Sequence, residues 1–172
     1  MPKQPSLNLG DIEVDKDNLE EFRDSIQIVF DEIFLVAHDE PNSNPIIATK
    51  TGKQSIPVAT ETKVLFNLVR EGDVGEFNTS QGRYVPNLIG NYWISSTVEL
   101  PGLGTDTAFL VIKKNNVEVW KGSESTISAS ITAMVNIEDG DFIEIYITHT
   151  HASPQDTTGT QSRIKFAGYK IP

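Results

Sequence analysis

His149-Thr150-His151 sets two imidazoles two residues apart, hence on one face if the segment is a strand. Imidazole nitrogen is a good ligand for zinc or nickel, and three copies meeting at an axis would gather six such nitrogens. The competing reading is a strand end running into the polar loop Ala152 to Ser162, with both histidines in solvent. Two acidic groups, Asp139-Asp141-Glu144 and Asp73-Glu76, could offer a hard cation such as calcium its several oxygens. The competing reading there is a pair of solvated acidic turns, and no EF-hand spacing is present. Lys113-Lys114, Lys121 and Trp120 make a small basic-aromatic group. Motifs of catalysis are missing: no Gly-x-Ser-x-Gly, no His-Glu-x-x-His, no Gly-Lys-Ser/Thr phosphate loop. With three histidines and no cysteine, pairs of nucleophile and base are scarce. The expectation is a protein that is not an enzyme and carries no resident cofactor, with calcium and the two histidines as its only metal candidates.

The elements that must position these groups fall into four stretches. Residues 1–16 are polar, contain Pro2 and Pro5, and read as an extended arm. Leu7, Leu9, Ile12 and Val14 are its apolar residues, spaced like those of a strand added to a partner. Over 17–38, Leu19, Phe22, Ile26, Val29, Ile33 and Val36 follow steps of three and four, the spacing of a heptad seam. Asp17 suits the N-cap with Glu20 in a capping-box relation, and Glu20, Glu21 and Asp24 suit the positive end of the dipole. The spacing predicts a short helix, marginal as a coiled coil on its own because nucleation is costly. Residues 39–60 read as a connector, since Pro41, Pro45, Gly52 and Pro57 forbid a continuous helix. Within it Ile46-Ile47 and Ile56-Pro57-Val58 suit edge strands.

From residue 61 to 172 the pattern is one of short strands separated by turns. Strands are expected over 63–69, 82–86, 91–100, 107–113, 117–120, 127–137, 142–150 and 163–171, with a hairpin about Lys114-Asn115-Asn116. No room is left for crossover helices, so the fold is an all-β sandwich or barrel. Tyr92 and Trp93 lie on opposite faces of the long strand, so a core position for one sends the other outward, where subunit interfaces gather aromatics. Phe66, Tyr84, Tyr92, Phe109, Phe142, Tyr146 and Phe166 are the expected large core residues.

A formal charge of -10 argues against a nucleic-acid binder, which needs clustered lysine and arginine. No apolar stretch reaches the roughly 20 residues of a membrane helix. Met1-Pro2-Lys3-Gln4-Pro5 lacks the apolar core of a secretory signal, so ordinary export is not expected.

The ordered set Val64-Leu65-Phe66-Asn67, Phe77-Asn78, Gly82-Arg83-Tyr84-Val85-Pro86, Gly90-Asn91-Tyr92-Trp93-Ile94, Lys113-Lys114-Asn115-Asn116, Ile137-Glu138-Asp139-Gly140-Asp141 and Phe166-Ala167-Gly168-Tyr169 carries a likeness. It resembles the globular head of complement component 1q and its tumour necrosis factor-like relatives. The resemblance implies a ten-strand jelly roll that packs as a homotrimer, some such domains binding calcium near the apex. Collagen repeats that precede many members are replaced here by the arm and the heptad helix. That layout is similar to short trimeric virion proteins, including bacteriophage capsid decorations and fibre tips. The implied function is a homotrimeric capsid decoration or cement protein on the virion surface, assembled in the host cytoplasm. Its arm would hold the major capsid protein or another virion component, and its heptad seam would form the stalk. Two alternatives stay open: a receptor-binding fibre or spike tip that meets a cell-surface glycan or receptor, and a trimeric lectin-like module outside any virion.

Overall fold

The computed structural model describes residues 45–171. The arm at 1–16, the heptad helix at 17–38 and the start of the connector, 39–44, lie outside the described residues.

Thirteen strands are present among the described residues. They are β1 (Ile46–Thr49), β2 (Ser55–Ile56), β3 (Thr62–Lys63), β4 (Leu68–Glu71), β5 (Phe77–Asn78), β6 (Arg83–Tyr84) and β7 (Gly90–Glu99). The set continues with β8 (Ala108–Lys114), β9 (Val117–Lys121), β10 (Ser128–Ile137), β11 (Ile143–His149), β12 (Gln155–Asp156) and β13 (Ile164–Lys170). Sheet A runs in the order β10-β7-β13-β1-β4, and sheet B in the order β5-β6-β11-β8-β9 with β3 also paired to β11. All pairings are antiparallel.

Two-residue alternation sorts the side chains of the long strands. In β7, Tyr92, Ile94, Ser96 and Val98 are buried, and in β10 so are Ala129, Ile131, Ala133, Val135 and Ile137. The inner faces of the two sheets meet in one apolar cluster. Its aromatic centre packs Phe166 against Phe77 at 5.3 Å and against Tyr84 at 5.4 Å between ring centroids. Gly168 is required there, because a Cβ would stand 2.8 Å from the Tyr84 ring. The hairpin turn between β8 and β9 holds Asn115 and Asn116 at φ of 53° and 66°, the left-handed pair a two-residue turn demands.

Several expectations need correction. The sandwich starts at Ile46 and not at residue 61: β1 is an interior strand, paired to β13 on one side and β4 on the other. Proline and glycine around it had suggested a connector, but they flank the strand and leave its four amides to the ladder. The expected strand over 63–69 is divided into β3 and β4, which pair in different sheets, with Val64–Asn67 carrying the chain between them. Phe109, Phe142 and Tyr146 are half-buried on the outward side of sheet B. Their neighbours Leu110, Ile143 and Ile145 take the core positions instead.

Candidate functional site

The two outward faces of the sandwich are built from similar residues and finished differently. On sheet A the residues that alternate with the core are Met134 on β10, Trp93 on β7 and Tyr169 on β13. The register places Met134 opposite Trp93 and Trp93 opposite Tyr169, so the three lie side by side across three strands. They are 50%, 38% and 45% exposed, while Tyr92 beside them is 3% exposed. Burial of Tyr92 moves its hydroxyl pKa up to about 12, with the nearby charge of Glu76 adding to the effect.

Past this row the face becomes polar through Ser95 and Thr97, then opens into a groove at the β1–β4 end. Ile47, Thr49, Phe166 and Ala167 line it, with Arg70, Glu71 and Lys165 among the charged residues of its wall, and its volume is about 490 Å³. Thr49 is 4% exposed, and its hydroxyl has no hydrogen-bond partner among the described residues.

Sheet B has its aromatic rings covered by cations. The Arg83 guanidinium stands 3.6 Å from the Phe142 ring centre, Lys113 Nζ 4.4 Å from that of Tyr146, and Lys121 Nζ 4.0 Å from that of Phe109. Beneath them Glu144 has a fully buried side chain whose Oε1 accepts from Lys63 Nζ at 2.9 Å and from Arg83 Nε at 3.0 Å. Burial alone would raise the Glu144 pKa; the two cations and the Tyr146 hydroxyl outweigh it and hold the carboxyl below its ordinary value. Asp141 follows the same logic. Burial opposes its ionisation, and the Glu138 amide, Lys114 and Asn115 more than compensate.

Trp120, on the exposed edge strand β9, is 51% exposed. Its Nε1 donates to the Met134 carbonyl at 3.1 Å, which brings the indole against the edge of sheet A. Val117 on the same strand is 65% exposed and Met134 beneath the indole 50%.

The acidic groups read as calcium candidates do not form a cation site. Glu144 is bound by Lys63 and Arg83, Asp141 by Lys114, Asp73 caps the Gly75 amide, and Glu76 accepts from the Asn87 amide. No group of three or more His, Asp or Glu among the described residues is arranged to hold a metal. His149 and His151 part company as well. His149 is fully buried, its Nε2 donating to the Ile56 carbonyl at 3.0 Å, whereas His151 lies past the end of β11 and accepts at Nδ1 from the Ser153 amide. A ring enclosed by its own sandwich cannot reach an axis between copies. The basic-aromatic group is divided too, since Lys113 faces Glu61, Lys114 faces Asp141, and Trp120 turns to the edge of sheet A.

No family model matches the chain, and no curated protein matches it. Solved structures do. The vertex protein P5 of PRD1 superposes with a TM-score of 0.59 at 14% identity, over 76% of this chain and 98% of that one. The globular domain of zebrafish complement 1qA gives 0.54 at 14% identity over the same shares, and murine APRIL 0.54 at 12% identity over 74% and 98%. The fold is a jelly roll of the complement 1q and tumour necrosis factor type. In this jelly roll the outward face of sheet A keeps bare apolar side chains, and the outward face of sheet B does not. Of the residues singled out in the sequence, Trp93 stands on the bare face. Met134 and Tyr169 were missed, because only the strand register brings them to Trp93, and register is not written in local spacing.

Proposed function

We propose that this protein is a non-enzymatic virion structural protein, a homotrimer that decorates or cements a capsid. The observation that carries the reading is the Met134–Trp93–Tyr169 row. A contiguous apolar row on the face of a sandwich is what an interface leaves when its partner is removed. The jelly roll and its likeness to the phage vertex protein P5 of PRD1 support a place on a virion. The cation-covered face of sheet B supports the assignment of sheet A as the joining face, because a ring already roofed by a charge has little apolar area to offer.

In this reading three heads pack through sheet A, Leu19, Phe22, Ile26, Val29, Ile33 and Val36 knit a short stalk, and Leu7, Leu9, Ile12 and Val14 hold the major capsid protein or another virion component. Three weak arms acting together gain effective concentration, so each contact can be modest. The first test is mass in solution: light scattering should return three times the 19.0 kDa chain, and a monomer at micromolar concentration refutes the assembly. The second is a chain lacking residues 1–16. It should remain a folded trimer that no longer binds capsids, and continued decoration refutes the anchor.

A further inference from the structure

The geometry points to the groove at the β1–β4 end of sheet A as the socket for Trp120 of a neighbouring copy, an inference that rests on the trimeric reading above. Two apolar surfaces on one protomer are not copies of each other. One projects: Trp120 on β9, bonded to the Met134 carbonyl of β10, with the exposed Val117 on the same strand. The other is concave: the groove over Ile47, Phe166 and Ala167. They sit at opposite ends of sheet A, since β10 is one edge strand and β4 the other. When a ridge at one end fits a socket at the other, copies join head to tail, and a closed rotation makes a ring.

Size and chemistry both fit. About 490 Å³ is within the range of roughly 300–1,000 Å³ that holds a compact organic group, and an indole with a flanking aliphatic chain falls inside it. Anchoring Nε1 to the Met134 carbonyl orders the ring before any contact, so little rotamer freedom remains to be lost. Arg70 and Lys165 have no acidic partner within 4.0 Å among the described residues, apart from sharing the groove wall with Glu71. Both are cations of the kind that stack on an indole. Tryptophan is among the residue types enriched at interface hot spots, which sit in well-packed pockets.

The test uses full-length chains in sedimentation equilibrium. Trp120→Ala removes the ridge, and Ala167→Trp fills the socket, with Lys165→Trp as a second filler at an exposed position. Each variant should associate at least about 30-fold more weakly than the parent, with its β-sheet circular dichroism unchanged. An equimolar mixture of ridge-less and socket-filled chains should form a one-to-one dimer, because one keeps the socket and the other keeps Trp120. If Trp120→Ala trimerises as tightly as the parent, or the mixture stays monomeric, the socket is refuted and the trimer is not. A parent chain that is itself monomeric refutes the assembly beneath it.

Discussion

Arg83 and Glu144 are joined on the outward side of sheet B. Arg83 Nε donates to Glu144 Oε1 at 3.0 Å and Arg83 Nη2 stands 3.0 Å from the same oxygen, whose side chain is shut off from solvent. Lys63 completes the grip from the other flank at 2.9 Å. The consequence is mechanical, because β3 and β6 are two-residue strands that each meet β11 at only two register positions. Glu144 fastens both of them to the long strand between.

Glu144→Gln is therefore expected to destabilise the head by about 3 kcal/mol, since it leaves two cations facing a neutral amide in a site built for an anion. Urea denaturation of the variant beside the parent measures it. A loss below about 1 kcal/mol would show that backbone pairing alone holds β3 and β6.

Acid should weaken the fold. Glu144 and Asp141 have folded-state pKa values below their ordinary values of 4.5 and 3.8, so the unfolded chain binds protons first as pH falls. The stability they contribute is complete above those ordinary values and is lost as pH drops through the lower folded values. A urea midpoint followed against pH should be level near neutrality and decline below about pH 4.5. Glu144→Gln should remove part of the slope. A midpoint unchanged down to pH 3 contradicts the assignment.

Gly168→Ala is expected to cost about 1–3 kcal/mol, because the added methyl meets the Tyr84 ring at 2.8 Å and the Ile46 side chain at 3.3 Å in a packed interior. Pairing it with Tyr84→Leu, which clears the ring, should recover part of the loss in a double-mutant cycle.

At the β8–β9 turn, Asn116→Gly should be neutral or stabilising by about 0.5 kcal/mol, as glycine adopts a φ of 66° without a Cβ penalty. Asn115→Val should destabilise by more, for it loses both the left-handed tolerance and the bonds of Asn115 to Asp141 and to the Phe142 amide. Thermal melts of the two variants decide between them.

Trp93→Asp should dissociate the proposed trimer and leave the head folded, because Trp93 projects from the outward face while Tyr92 supports the core. Light scattering with circular dichroism reads both outcomes. A trimer that survives the substitution would move the interface off this face.

The long strands were legible in the sequence because strict alternation over ten residues, as in β7 and β10, admits no other half-buried element. Two-residue strands such as β5 and β12 were not, since two residues carry no period and their pairing depends on β6 and β2, elsewhere in the chain. Phe109, Phe142 and Tyr146 were assigned to the core because an aromatic roofed by a cation has the same letter as one buried among aliphatics. The cation over Phe142 comes from Arg83, on a strand far earlier in the chain. His149 is the instructive miss. Ile143, Ile145 and Ile147 face inward, and the same alternation carried two residues on sends His149 inward too. Polarity alone points it at water, but the Ile56 carbonyl supplies the partner that lets an imidazole be enclosed.

The roofing of Phe109, Phe142 and Tyr146 by lysine and arginine has a further effect on how such heads behave in a crowd. Each ring is spoken for by its own chain, so one flank offers no sticky aromatic to a sugar, to a stray strand or to the next head along. That flank therefore meets its surroundings with fixed positive charge where its sequence alone promises aromatic grease.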